Sequence, residues 1–343
     1  MTSDPNAASA VFPATAAPAA NLQTHDAGIA SEESWVVVAV LTYGRAATLN
    51  RLLVEFAGLL PPRATRVTLL VIDNHEKGCA QALFDTHASL LVDARYVQEK
   101  RRGIPVARNR AVSEAIAMGA DALCFIDDDE FPNPDWLHHL VGCWKSSRAH
   151  LVGGPVRVAA PEPFIGPWCR FLTKSLAARA ERKNLATARA AARGRRFTVV
   201  TNNWLCDVHW LVRTGVRFDD QLLYTGGSDT VFHRAAKAAG AVTAWCPEAV
   251  VYEIVPAERL TLAYQFHRAA SQSINHFRMK NKRLTAGIAT IAVLNAVVRC
   301  LSGSLLLMFP IYGVASPVIA VRSLGWSYGR LMALRGARSK LYA

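Results

Sequence analysis

Acidic side chains are scarce in this 343-residue chain: 26 Asp and Glu stand against 39 Lys and Arg, giving a formal charge of +13. So strong a bias points to a polyanionic partner, whether nucleic acid, an anionic membrane surface or a phosphorylated substrate. No nucleic-acid-binding motif accompanies the charge, so no nucleic-acid partner is expected. Cys-x-x-Cys pairs are also missing. The seven cysteines, Cys79, Cys124, Cys143, Cys169, Cys206, Cys246 and Cys300, are odd in number and widely spaced. That pattern excludes a disulfide framework and a cysteine zinc site, and it fits reduced core thiols. No secretory leader is visible. Residues 1–33 lack Arg, Lys and any continuous apolar stretch, and are expected to form a disordered tail. No internal repeat stands out.

What is present is apolar residue in quantity, 51% of the chain, enough for a large core without cross-links. Trp35 to Tyr43 is a continuous apolar run of strand length, rich in β-branched residues, as expected of a strand buried on both faces. Thr48 to Leu60 has helical spacing and stops at Pro61-Pro62. Strands are predicted at Val67 to Ile72, Ala94 to Val97 and Ala122 to Ile126, with helices between them; one opens at Pro105 and ends at Gly119. This alternation implies a mostly parallel sheet with helices on both faces. Ligands bind such sheets beyond the carboxyl ends of the strands. Three polar clusters stand there: Thr42-Tyr43-Gly44-Arg45, Asp73-Asn74 and Asp127-Asp128-Asp129.

The second half is less regular. Helices are predicted over Asp135 to Trp144, Thr230 to Ala239 and Arg259 to Arg278, and strands over Leu151 to Val158 and Phe197 to Val200. Residues 161–196, rich in Ala, Arg and Lys, read as a basic loop or a surface helix. Leu301 to Val321 contains no charge and is about long enough to cross a bilayer, although Pro310 and Pro317 would kink it. Residues 286–298 are apolar but too short to span alone. Insertion, a helical hairpin in the membrane interface and a buried helix pair all remain open for this tract. Its basic flank, Arg330, Arg335, Arg338 and Lys340, suits the cytoplasmic side of an anionic leaflet.

Three adjacent aspartates repel one another, and their hard oxygens suit Mg²⁺ or Mn²⁺ shared with substrate phosphates. If the strand continued, Asp127 and Asp129 would point one way and Asp128 the other. A solvated acidic turn is the plainer alternative. A helix opening at Pro105 offers free N–H groups to an anion, and Arg108 in its first turn adds a charge. Asp73 at a strand end could hold a base or ribose, or simply mark a turn. Asp229, after Gly226-Gly-Ser, could act as a general base or only as a helix cap.

In order, Thr42-Tyr-Gly-Arg45, Val71-Ile-Asp73-Asn74, Gly103 to Asn109 with Ala107-Arg-Asn-Arg-Ala111, and Phe125-Ile-Asp-Asp-Asp-Glu130 resemble the motifs of family 2 glycosyltransferases. So do Phe218-Asp-Asp-Gln-Leu222 and Gly227-Ser-Asp229. The resemblance covers residues 35 to about 278. It implies a GT-A fold, a nucleotide-binding Rossmann-like sheet with flanking helices, and inverting transfer from a nucleotide sugar, taken to be a UDP-sugar. Asp73 would hold the base, Asp127 would lie near ribose and metal, and Asp129 would coordinate the Mg²⁺ or Mn²⁺ bridging the diphosphate. Thr42, Tyr43, Arg45, Arg108, Asn109 and Asp128 complete the implied donor site. Asp229 matches the family's catalytic base, with Ser228 where the family has Glu. Gln265-Phe-His-Arg268 is followed by Ala269, so the Gln-x-x-Arg-Trp signature of processive synthases is absent and single-sugar transfer is expected.

The expected organisation is a tail at 1–33, a glycosyltransferase domain at 34–280 and an apolar membrane-associated segment at 281–343. A lipid-linked or saccharide acceptor at the cytoplasmic face of the inner membrane follows by analogy. A nucleotidyltransferase would want a longer Gly-rich loop after the first strand than Thr42 to Arg45 allows. A basic membrane-bound scaffold is the remaining rival.

Overall fold

Val36 to Val40 are completely buried, because β1 (Ser34–Thr42) is covered on both faces. It pairs in parallel with β2 (Thr65–Asp73) on one side and, across the helices between, with β4 (Ala122–Asp127) on the other. β3 (Ala94–Gln98) extends the sheet beyond β2. This is the computed structural model of the chain, which describes residues 33–161, 166–199, 201–222, 227–281 and 283–338. The predicted tail up to residue 32, Val200, Gly226 and Lys340 lie outside the described residues.

The connections are α1 (Ala46–Ala57), α2 (Gln81–His87) and α3 (Ile104–Met118). After β4 come β5 (Glu130–Pro132), α4 (Trp136–Ser147), β6 (Leu151–Gly153), β7 (Val156–Ala159) and α5 (Gly166–Ala192). Then follow β8 (Asn203–Asp207), α6 (Val208–Thr214), α7 (Ser228–Ala238), β9 (Thr243–Trp245) and β10 (Val251–Ile254). The main sheet has the order β3-β2-β1-β4-β8-β6-β9, with β8 antiparallel to both its neighbours. A second sheet, β5-β10-β7, stands beside it. Each face of the main sheet has its own core. Leu49, Leu52, Phe84 and Trp136 from α1, α2 and α4 meet Val36, Val38 and Val40. Ala107, Ala111, Trp210 and Phe232 from α3, α6 and α7 meet Val37 and Ala39.

Two readings of the second half change, and one left open between loop and helix is settled as helix. The single strand expected over Leu151 to Val158 is two strands in different sheets. Gly154 sits against the Ala249 carbonyl, where no Cβ fits, and Pro155 has no N–H for a ladder. The basic stretch after residue 161 contains one 27-residue helix, α5. Phe197 to Val199 belong to no ladder, and β8 starts later, at Asn203.

The uncharged stretch Leu301 to Val321 is not one helix. It straddles a break between α9 (Ala286–Met308) and α10 (Ser316–Leu334), with α8 (Leu262–Lys280) before them. Pro310 lies in the break and Pro317 in the first turn of α10, where proline is tolerated. Among the described residues, α9 is the helix long and apolar enough to cross a membrane. Only Ala292, Ala296 and Gly303 of it are buried, whereas Ile291, Leu294, Val298, Leu301 and Met308 are more than half exposed.

α10 packs on α8, α9 and α5. Gly325 and Gly329, one turn apart, lie against the α8 backbone, so that a Cβ on either would strike the carbonyl of Phe266 or Ala270. Such small-residue seams let helix axes approach closely. Gly329→Val is expected to lower the unfolding free energy by roughly 1–3 kcal/mol, read from the urea midpoint. A midpoint equal to that of the parent chain would show that the two backbones do not touch.

Candidate functional site

At the carboxyl end of β4 the strand stops at Asp127, and the chain turns through Asp128 and Asp129. The premise that Asp127 and Asp129 share a face of a continuing strand therefore fails. Asp128 is drawn back toward β1. Its Oδ2 accepts a hydrogen bond from Thr42 Oγ1 at 2.8 Å, and its Oδ1 accepts one from Arg45 Nη1 at 3.0 Å. The same Arg45 nitrogen donates to Asp129 Oδ2 at 3.0 Å. Glu130, only 2% exposed, closes the turn from below: its Oε2 accepts the Asp127 N–H and its Oε1 accepts Asn202 Nδ2.

This leaves Asp127 facing a cavity of about 650 Å³. Burial raises its proton affinity well above the usual carboxylate range; Arg108 opposes the shift, and Asp129, Asp128 and Glu253 reinforce it. Burial does the same to Glu130, with Asp127 adding to it. Glu253 on β10 is also raised, by burial first; Arg268 opposes this and Asp129 adds to it. Acids thus crowd one end of the cavity, opposed by Arg108 and Arg268.

Arg108, in the first turn of α3, reaches into the cavity and donates to Ser228 Oγ at 2.9 Å. Asp229 lines the same cavity from the first turn of α7. The cap of α7 is Gly227 (φ 88°), so Asp229 is not the capping residue. Its Oδ1 accepts the neighbouring Thr230 N–H at 2.8 Å. The structure therefore brings Arg108, Asp127 and Asp229 together.

Other predicted contacts have protein partners instead. Asp73 is completely buried. Its Oδ1 accepts the His75 N–H, and its Oδ2 accepts the Ala80 N–H and the Tyr96 hydroxyl. Its carboxylate closes the loop after β2 and does not line the cavity. Asn109, read as a donor contact, clamps the segment before α7: it donates to Phe218 O and Asp220 Oδ1 and accepts the Phe218 N–H. Thr42, Arg45 and Asp128 hold the acidic turn. Tyr43 is exposed, flanked by His75 at 5.0 Å between ring centroids and by the Arg102 guanidinium at 4.9 Å. Asn74 donates to Glu99 O and Arg101 O and accepts the Gly103 N–H, fixing where α3 begins. At that point Gly103 has φ 146°, a conformation open to glycine.

Sequence reasoning missed Glu253, whose signal was an acid inside the apolar run Val250 to Val255. It also missed a basic wall, Arg179, Lys183, Arg268 and Arg322, facing the same cavity from α5, α8 and α10. Among the described residues, no group of three or more His, Cys, Asp or Glu side chains forms a metal cage by itself. The clustered carboxylates of Asp127, Asp129 and Glu253, with Arg45 on one oxygen of Asp129, fit a hard divalent cation whose coordination is completed by substrate phosphates.

The family model described as "Glycosyl transferase family 2" matches residues 37–204, from β1 into β8. The succinoglycan biosynthesis protein ExoM of Rhizobium meliloti (strain 1021) is 30% identical over 250 residues, spanning 73% of this chain and 76% of that protein. Among solved structures, the mannosyltransferase PcManGT of Pyrobaculum calidifontis, in complex with GDP-Man and Mn²⁺, aligns with TM-score 0.52 and 20% identity over 89% of this chain and 76% of that one. TarS 1-349 of S. aureus in complex with UDP aligns at TM-score 0.47 and 13% identity, covering 89% and 92%. The likeness to PcManGT is one of fold, the GT-A arrangement expected from the sequence.

Because Asp128 anchors the acidic turn, Asp128→Asn is expected to cost roughly 1–3 kcal/mol of stability, read from denaturant melts. An unchanged midpoint would show that the Thr42 and Arg45 contacts contribute nothing.

Proposed function

Since the chain belongs to glycosyl transferase family 2 and is a glycosyltransferase, we propose that it moves one sugar from a nucleotide-sugar donor, a UDP-sugar, to a hydroxyl of a lipid-linked saccharide. The transfer inverts the anomeric centre and uses Mg²⁺ or Mn²⁺. What carries this reading is the shared cavity, where Asp127, Arg108 and Asp229 face one space.

A divalent ion held by Asp127 and Asp129 would neutralise charge on the departing nucleoside diphosphate. The remaining work falls to the chain's own groups. The acceptor oxygen attacks the anomeric carbon, the bond to the diphosphate breaks, and Asp229 takes the hydroxyl proton. Arg108 and the opening N–H groups of α3 stabilise the developing negative charge. Tyr43 and His75 offer ring surface to the base. The buried Asp73 shapes that loop from beneath.

The likeness to a protein named for succinoglycan biosynthesis supports a role in polysaccharide assembly. We place residues 281–343 at the cytoplasmic face of the inner membrane. The inner edge of α9 is spent on α10, and its apolar outer face then lies in the interface.

Nucleotide sugars screened with Mn²⁺ or Mg²⁺ should release nucleoside diphosphate; pyrophosphate as product would mean nucleotidyl transfer instead. Asp129→Ala should abolish metal-dependent donor binding in calorimetry, and retained binding would remove Asp129 from the metal. Asp229→Asn should keep donor binding and lose turnover by about 10²–10⁴-fold. Normal turnover in that variant would exclude Asp229 as the base.

A further inference from the structure

Four cations converge on the cavity from helices that contribute nothing to the acidic turn. Arg179 and Lys183 lie one turn apart on α5, Arg268 is on α8 and Arg322 is on α10. Among the described residues, none of the four forms an ion pair with a carboxylate. Arg322 donates instead to two neutral amides, Gln265 Oε1 at 2.9 Å and Gln272 Oε1 at 2.7 Å.

The cations disturb one another. Burial, then Arg179 and Arg268, pull the Arg322 guanidinium down to about 9. Burial and Arg268 lower Arg179, and burial and Arg179 lower Lys183. Like charges gathered in a half-enclosed space weaken a fold unless an anion joins them.

The cations act on different acids of the cavity. Arg108 is the cation that acts on Asp127, at the donor end. Lys183 is instead drawn toward Asp229, and Arg268 toward Glu253. Arg322 belongs to the helix packed along α9, whose outer face is apolar and bare.

We propose that Arg179, Lys183, Arg268 and Arg322 form a second anion site that seats the phosphate or diphosphate group of an amphiphilic acceptor, presenting the acceptor hydroxyl to Asp229 while the apolar tail leaves along α9. This rests on the transfer reading above and names its acceptor class. The donor diphosphate occupies the Asp127 pole, and the acceptor phosphate occupies the basic wall.

The test is calorimetry on the full chain in EDTA, with farnesyl diphosphate and inorganic pyrophosphate as probes. Binding of a panel of nucleoside diphosphates is measured separately in manganese buffer. Farnesyl diphosphate should bind at least about tenfold more tightly than pyrophosphate, and Arg179→Gln/Arg268→Gln should weaken both by at least about tenfold. Nucleoside diphosphate binding should stay within about twofold in that variant. The ligand-free variant should melt a few degrees higher, because repulsion is relieved. A lower melting temperature would make the arginines structural and overturn the proposal. So would undiminished farnesyl diphosphate binding, or loss of nucleoside diphosphate binding along with it, which would assign the wall to the donor. Equal affinity for the two probes would point to a soluble phosphate and overturn the amphiphile. Failure of the parent chain to bind any nucleoside diphosphate, with farnesyl diphosphate still bound, would remove the donor reading and leave the anion site standing.

Discussion

The grip of Thr42 and Arg45 on Asp128 is the contact on which the site is built. β1 and β4 lie side by side in parallel, so the residues that follow them emerge at the same edge. Without a tie, three consecutive carboxylates there would repel one another into solvent. The hydroxyl and the guanidinium fix the middle one, and Glu130 accepts the Asp127 N–H from behind. Asp127 is thereby held toward the cavity and Asp129 beside Arg45. A sheet edge that would otherwise be a loose acidic loop becomes a shaped floor.

Across from that floor stands a wall of opposite sign, made almost wholly of helix. The floor is composed of strand ends whose positions are set by backbone pairing. The wall depends on side-chain packing of α5, α8 and α10, and its closeness rests on Gly325 and Gly329 meeting the α8 backbone. The two halves therefore differ in what holds them. The family match runs from β1 into β8, through the floor and through α5 with its Arg179 and Lys183, and ends before α7, α8 and α10.

The N-terminal half was legible because its signals are local. A short apolar run rich in β-branched residues suits a doubly covered strand, and acids after a buried strand lie at its end. The predicted β1, β2, β3 and β4 and their helices all appear. The second half misleads where local signals compete with distant partners. Leu151 to Val158 reads as one strand until the Ala249 carbonyl is seen against Gly154. Leu301 to Val321 reads as one segment because hydropathy does not register a turn between two apolar helices. Among the expected site residues, Arg108, Asp127 and Asp229, singled out by position along the chain, line one cavity. Asp73 and Asn109 also have protein partners, Tyr96 and Phe218, that nothing in the sequence announces. Glu253 and the four cations are joined only by the fold, at separations that no motif spans.

The glycine seam between α8 and α10 has a consequence for assembly. α10 supplies Arg322 to the cavity and at the same time holds α9 along its flank. One docking event thus finishes the basic wall and sets the greasy outer helix in place. A chain that has not yet closed that seam lacks both together, so the completed cavity and the exposed apolar face of α9 mature as a single unit.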